Sequence, residues 1–176
     1  MIVYFLRHAN AGEKRLNPVQ DEKRPLDKEG IEQCGYVGRF LNSLDAHVDL
    51  ILSSPLKRAT QTAAMVGNEI DYQQRIEPTP ALHPNSDYES FRQLLRKVSG
   101  LEAVMVVGHN PNMSKFISLM VTGGLSERAI EMKKGSVARL EMGSKRSVLN
   151  WIVTPRLIKS AYASAQVSSR PKTSKK

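Results

Sequence analysis

Met1-Ile2-Val3-Tyr4-Phe5-Leu6-Arg7-His8-Ala9 is the stretch whose reading decides the fold. Its apolar, β-branched and aromatic run reads as a buried strand of an α/β chain. Arg7 and His8 therefore fall at the strand's carboxyl end, where open α/β sheets place their ligands. A histidine at that point is held rigidly, and the arginine beside it can fork onto a phosphate.

Two later segments repeat the arrangement. Val48-Asp49-Leu50-Ile51-Leu52 reads as a strand and is followed by Ser53-Ser54-Pro55-Leu56-Lys57-Arg58-Ala59-Thr60-Gln61-Thr62. Ser54 and Pro55 suggest a helix start, serine as cap and proline in the first turn. Leu56, Ala59, Ala63, Val66 and Ile70 then follow helical spacing. Arg58 is expected in the first turn, at a helix end that attracts anions. Ala103-Val104-Met105-Val106-Val107 reads as a third strand, with Gly108-His109-Asn110-Pro111 opening another helix capped by Asn110. If these strands are parallel neighbours, Arg7, His8, Arg58 and His109 converge on one rim.

The remaining segments complete the architecture. A helix is expected over 28–44 with Ile31, Cys34, Val37, Leu41 and Leu44 on one face. Another is expected over 86–98 with Phe91, Leu94, Leu95 and Val98 inward, and a third over 111–121 with Met113, Phe116, Ile117 and Met120, stopped by Gly123-Gly124. Segments 136–142 and 148–153 read as a closing strand pair around a Gly143-Ser144-Lys145 turn, before a last helix over 155–166. Alternating strands and helices followed by a hairpin predict an α/β fold, a three-layer α/β/α sandwich with a mostly parallel central sheet.

The ordered motifs Arg7-His8-Ala9, Ser53-Ser54-Pro55-Leu56-x-Arg58-Ala59-x-Gln61-Thr62 and Gly108-His109-Asn110-Pro111 resemble the histidine phosphatase superfamily. Within it the chain is most similar to the small bacterial phosphohistidine phosphatases of the SixA type, a subgroup whose Arg-Pro-Leu segment is matched by Arg24-Pro25-Leu26 followed by Gly30. The resemblance runs from Ile2 to about Trp151. It implies a phosphoglycerate mutase-like sandwich with one antiparallel edge. It also implies a phosphohistidine phosphatase in which His8 is the nucleophile and Arg7, Arg58 and His109 surround the phosphoryl oxygens, with Arg24 as a further donor. Such chemistry fits the residues. Phosphoryl transfer needs an in-line nucleophile and positive donors around the equatorial oxygens. Neutral imidazole is abundant near pH 7, and its phosphoramidate is labile enough to hydrolyse.

One role has no obvious occupant. Larger members of the superfamily use an acidic residue after the second motif's helix to protonate a leaving alkoxide, a contribution of about 10²–10⁴ in rate. The matching segment is 80–87, where Ala81 and Leu82 stand near the expected glutamate position. His83 and Asp87 are the candidate proton donors. Against Asp87, Ser86-x-x-Glu89 reads as a capping box, which makes Asp87 a first-turn acid favoured by the helix dipole. The gap favours phosphohistidine as substrate, because imidazole leaves far more easily than an alkoxide.

Competing chemistries find little in the chain. Four residues separate Cys34 from Arg39, one short of the spacing a cysteine phosphatase needs, and Cys34 lies on the apolar face of a helix. Neither a P-loop nor a Gly-x-Gly-x-x-Gly fingerprint occurs. The lone cysteine and four scattered histidines offer no metal-ligand spacing, so neither metal nor cofactor is expected. His47 precedes the second strand and is expected in a surface or strand-entry role.

At 176 residues the chain is long enough for one domain, expected over 1–166, with a basic disordered tail over 167–176. No apolar run approaches the roughly 20 residues of a membrane span. The apolar stretch interrupted by Arg7-His8 is not a signal peptide, and a single cysteine is compatible with a cytoplasmic location. The tail's Arg170, Lys172, Lys175 and Lys176 account for four of the formal +9, leaving +5 on the body. No basic helix or aromatic-interleaved strand supports nucleic acid as the main partner. The expected partner is a phosphorylated protein, such as a histidine phosphotransfer domain, or a small phosphorylated substrate. The alternatives are a broad small-molecule phosphomonoesterase of the same superfamily and a non-catalytic module that binds phosphoproteins. The oligomeric state is left open, a monomer included.

Overall fold

Residues 1–144 and 146–168 are described by the structure, a computed structural model. In chain order the elements are β1 (Ile2–Arg7), α1 (Pro18–Glu22), α2 (Lys28–Ser43), β2 (Leu50–Ser53), α3 (Lys57–Glu69), β3 (Glu77–Pro78), a 3₁₀ turn (Pro80–Leu82), α4 (Tyr88–Lys97), β4 (Ala103–Gly108), α5 (Asn112–Thr122), β5 (Val137–Glu141), β6 (Val148–Val153) and α6 (Pro155–Ser168). The described strands form one six-stranded sheet in the order β3-β2-β4-β1-β5-β6. Pairs β3–β2, β2–β4 and β4–β1 are parallel; β1–β5 and β5–β6 are antiparallel and make the predicted edge.

The period of two in β1 divides the core. Tyr4 and Leu6 face one cluster, where Cys34, Val37 and Leu41 of α2, Ala59, Ala63 and Val66 of α3 and Ile158 of α6 cover the sheet. Val3 and Phe5 face the other, under Phe91 and Leu95 of α4 and Met113, Phe116 and Ile117 of α5. There Phe91 lies between Phe5 and Phe116, with ring centroids 5.5 and 4.7 Å away. Helices on both faces of a mostly parallel sheet realise the three-layer sandwich.

The parallel registers set the rim. Arg7 lies opposite Gly108 on β4, and Ser53 of β2 lies opposite Val107. Strands β1, β2 and β4 thus end side by side, and Arg7-His8, Ser53-Ser54 and Gly108-His109 emerge together.

Several details differ from the expectations. Helix α3 begins at Lys57 with Leu56 as an uncapped N-cap, so Ser54 is not its cap. Helix α5 begins at Asn112 after a cis Asn110-Pro111 bond, with Pro111 at the N-cap. Asn110 still contributes there, its Oδ1 accepting from the Ser114 hydroxyl at 3.1 Å. In α2, Ile31 is exposed, as is Leu44 at the helix's end, and the buried stripe is completed by Gly30 and Gly38. A Cβ on Gly38 would lie 2.4 Å from that of Glu69, so the glycine permits the close α2–α3 approach. Helix α1 and the two-residue β3 were not anticipated. The closing strands and the αL Gly123 that ends α5 match expectation. Lys145 of the predicted turn lies outside the described residues. Helix α6 continues to Ser168, across the expected 166/167 boundary, and 169–176 of the predicted tail also lie outside. Among the described residues no helix is long and apolar enough to cross a membrane.

Candidate active site

The sheet grips the first motif by its backbone. The Arg7 amide donates to Ser136 O at 3.0 Å, the His8 amide to Gly108 O at 2.9 Å, and Gly135 N donates to His8 O at 3.1 Å. With both neighbours of β1 engaged, the His8 ring starts from a fixed point. Its Nδ1 lies 2.8 Å from Ala9 O. A carbonyl only accepts, so Nδ1 carries the proton and Nε2 keeps the lone pair.

His8, Arg58 and His109 are buried, with exposures of 8%, 6% and 2%, and the histidine rings lie 4.8 Å apart, centroid to centroid. Burial pushes the His8 pKa down to about 3; its bond to Ala9 O opposes this, and the charges of Arg58, Arg7 and Arg24 reinforce it. Burial likewise takes His109 down to about 2, aided by His8, Arg58, His83 and Arg7. Both rings are therefore neutral near pH 7. His109 Nε2 is 2.8 Å from the Ser54 hydroxyl. Thus Ser54, read in the sequence as a helix cap, instead orients a site histidine.

The guanidinium groups are tied down from one side. Arg7 Nη1 donates to Met132 O at 2.8 Å. Arg58 Nη1 donates to Asp21 O at 2.9 Å and lies 3.5 Å from Asp21 Oδ2. Arg24 donates from Nε to Asp21 Oδ1 at 2.8 Å and from Nη1 to Ala11 O at 2.7 Å. The buried Asp21 carboxylate, which also accepts the Arg15 amide at 2.8 Å, joins Arg24 and Arg58. Burial alone would raise its pKa. The Arg24 and Arg15 hydrogen bonds and the two guanidinium charges outweigh this and hold it below the ordinary carboxylate value. Sequence reasoning passed over Asp21. Its signal was the Asp21-x-x-Arg24 spacing in a short helix opened by Asn17-Pro18, an N-cap and a proline at N1.

The Arg24-to-Gly30 segment wraps the loop after β1. Leu26 N donates to Gln61 Oε1 at 2.9 Å, and Asn10 Nδ2 donates to Asp27 Oδ2 at 2.9 Å. A Cβ on Gly30 would sit 1.9 Å from Asn10 O, so only glycine admits this approach.

The two candidate proton donors part company. His83 sits in the loop after the 3₁₀ turn, half-buried, its Nδ1 accepting the Asn85 amide at 3.2 Å. The Asn112 amide at the start of α5 holds that loop, donating to His83 O at 3.2 Å, Pro84 O at 3.0 Å and Ser86 O at 2.9 Å. Asp87 is exposed and is itself the N-cap of α4, accepting Ser90 N at 2.7 Å. That bond, the main cause, keeps its pKa below the usual carboxylate value, favouring the charged form that cannot donate a proton. The capping role predicted for Ser86 therefore belongs to Asp87. Cys34 is buried in the α2 core with its thiol pushed up to about 12, and it takes no part.

Three buried nitrogens, Nε of Arg7, Nε of Arg58 and Nδ1 of His109, have no hydrogen-bond partner among the described residues. Guanidinium groups beside neutral imidazoles form an environment suited to a tetrahedral oxyanion. Among the described residues no group of three or more His, Cys, Asp and Glu side chains is placed to hold a metal ion.

Comparison with known proteins bears on the fold and the family. Residues 3–84 match the family profile of the histidine phosphatase superfamily (branch 1). The chain is 26% identical over 165 residues to phosphohistidine phosphatase SixA of Escherichia coli (strain K12), spanning 93% of this chain and 99% of that protein. The structure of the protein histidine phosphatase SixA complexed with tungstate superimposes with a TM-score of 0.78 at 23% identity, covering 90% of this chain and 99% of the other. Phosphoglycerate mutase from Bacillus anthracis str. Sterne superimposes with a TM-score of 0.70 at 14% identity, over 92% and 96%. These likenesses place the fold among the phosphoglycerate mutase-like sandwiches.

Proposed function

We propose that this chain belongs to the histidine phosphatase superfamily and is a phosphohistidine phosphatase working through a covalent phosphoryl group on His8. The observation that carries the reading is the His8 Nδ1 bond to Ala9 O, which keeps Nε2 unprotonated among Arg7, Arg58 and His109. A neutral nucleophile beside fixed positive donors is what a loose phosphoryl-transfer transition state requires.

In the first step the His8 Nε2–P bond forms as the donor's N–P bond breaks. The departing imidazole takes its proton from solvent. Arg7 and Arg58 hold the equatorial oxygens, each charge-assisted contact contributing about 1.5–3 kcal/mol. Charge arriving with the phosphoryl group favours protonation of His109, which then donates to an oxygen as well. In the second step a water oxygen bonds to phosphorus, the P–Nε2 bond breaks, and both water protons leave with the phosphate as dihydrogen phosphate. The arginines provide the positive charge, so no metal enters either step. Arg24 acts through Asp21 as a positioning residue and contributes positive charge from the loop after β1.

The residues near the leaving group support phosphohistidine over an alkyl ester. Ala81 and Leu82 offer no carboxylate, and Asp87 is committed to its helix. One observation favours a second reading: Asn112, three residues beyond His109, holds the His83 loop by its amide, which keeps a candidate proton donor on this side of the sheet. On that reading the protein is a small-molecule phosphomonoesterase.

Phosphate release decides between them. A histidine-phosphorylated phosphotransfer domain, an aryl phosphate and an alkyl phosphate are compared in chelator, with His8→Ala as control. Fast release from phosphohistidine and little from the alkyl ester is expected. Strong alkyl-ester turnover that collapses in His83→Ala would replace the first reading with the second.

A further inference from the structure

The excursion from β1 to α2 carries a surface that the chemistry of the pocket does not use. Residues 12–20 are exposed throughout. Among them Leu16 is fully exposed and Val19 is exposed over more than half its surface. Neither joins the two apolar clusters of the core. Scattered exposed apolar side chains are ordinary, but here a leucine just before the N-cap and a valine in the first turn stand together at the start of α1, the helix that carries Asp21. Lys14, Arg15 and Lys23 lie on the same excursion, with Glu13 and Glu22 as its exposed acids. Across the loop Lys134 Nζ reaches Asn10 Oδ1 at 2.6 Å and adds a further cation to this side of the rim.

The lip is joined mechanically to the pocket. The Arg15 amide donates to Asp21 Oδ1, the oxygen that also accepts Arg24 Nε, and Asp21 O accepts Arg58 Nη1. A body resting on residues 14–19 therefore sits in fixed register with the arginines below. The reacting groups are themselves buried, so a phosphorylated histidine on a protein reaches them with its imidazole alone. The surface around that histidine has to lie on the rim. A small phosphate ester makes no such demand.

Building on the phosphohistidine phosphatase reading, we infer that the 12–20 lip docks the substrate protein. Leu16 and Val19 seat against an apolar patch beside the phosphohistidine, and Lys14, Arg15 and Lys23 face acidic side chains around it. The occupant is a folded protein whose phosphorylated histidine stands on an apolar surface with an acidic border. Apolar anchors ringed by charge give such contacts their affinity, and the charges steer the encounter.

The test uses three probes with the full chain: a phosphotransfer domain phosphorylated on histidine, free phosphohistidine, and p-nitrophenyl phosphate. Wild type is expected to prefer the protein over free phosphohistidine. The double variant Leu16→Ala, Val19→Ala is expected to lose about 10- to 100-fold in kcat/KM on the protein, mostly through KM, as removal of buried apolar anchors requires. On the two small probes it is expected to stay within about twofold, which also shows that it folds. Lys14→Glu is expected to lower kcat/KM on the protein alone and to flatten its salt dependence. Unchanged protein turnover in the double variant overturns the docking role, and so does equal loss on all three probes. Wild-type release from free phosphohistidine without preference for the protein leaves the functional reading standing and removes the lip proposal. Release from neither phosphohistidine probe removes both.

Discussion

Replacing Asp21 with asparagine tests whether one buried carboxylate organises the phosphate-binding arginines. In the native protein Oδ1 accepts two hydrogen bonds at 2.8 Å, from Arg24 Nε and the Arg15 amide, and Oδ2 faces Arg58 Nη1 at 3.5 Å. Asparagine keeps one acceptor for the Oδ1 bonds but loses the charge, and its amide NH₂ then faces the Arg58 guanidinium, donor against donor. A hydrogen bond to a charged group contributes about 1.5–3 kcal/mol and a neutral one about 0.5–1.5 kcal/mol. The change therefore costs about 1–1.5 kcal/mol at each of the two Oδ1 hydrogen bonds, or about 2–3 kcal/mol for that pair. The Asp21 side chain is only 11% exposed, so solvent screens little of this. If the arginines are displaced in the transition state by a comparable amount, kcat/KM on an aryl phosphate falls about 30- to 150-fold. Inorganic phosphate should inhibit more weakly in the same proportion. The stability difference also has a defined pH dependence. Because the folded carboxyl titrates below its unfolded value, its contribution is complete above the unfolded pKa of about 3.9 and is lost as pH falls through the folded value. Unfolding curves of wild type and variant should then converge in strong acid. A variant with the expected loss of stability but unchanged kcat/KM and phosphate inhibition would refute the positioning role.

Three other outcomes are expected. His8→Ala should abolish turnover while inorganic phosphate still binds weakly to the arginines; near-normal rates in steady-state assays would remove His8 as nucleophile. The two buried histidines have folded pKa values of about 3 and about 2, below their unfolded values, so between about pH 6.5 and 3 the unfolded chain binds more protons. Stability should fall with pH through that window, whereas the nucleophile should stay neutral down to about pH 3. Urea unfolding at stepped pH checks the first point, and the acid limb of kcat/KM checks the second. Gly30→Ala places a methyl 1.9 Å from Asn10 O and should lower stability by at least about 1–3 kcal/mol, read as a drop in Tm. A Tm within a degree of wild type would mean that the α2–loop contact gives way easily.

Much of this was legible in the chain because it depends on local pattern. The apolar runs at 2–6, 50–52 and 103–107 and the helical spacings after them are short-range signals, and they placed Arg7, His8 and His109 at strand ends and Arg58 in the first turn of the helix that follows β2. The αL glycine that ends α5 was readable for the same reason. Helix starts were less so. Ser54, Ser86 and Asn110 all carry capping chemistry, yet a cap depends on backbone angles that neighbouring elements impose, and each helix began one or two residues later. Ile31 and Leu44 fit the α2 stripe by spacing and are exposed because packing against α3 selects a narrower face, opened by Gly30 and Gly38.

The sequence by itself determined the order of the main strands and helices, though not α1 or β3, together with the mostly parallel sandwich, its closing hairpin, and the residue types available for phosphoryl chemistry. These follow from hydrophobic period and turn chemistry within spans of a dozen residues. Only the tertiary structure decided what those residues do to each other. It set Asp21 between Arg24 and Arg58, turned Ser54 from a cap into the partner of His109, tied the His83 loop to Asn112 at the start of α5 and committed Asp87 to capping α4. Such pairings join positions dozens of residues apart through strand register and burial, and no local pattern carries that distance.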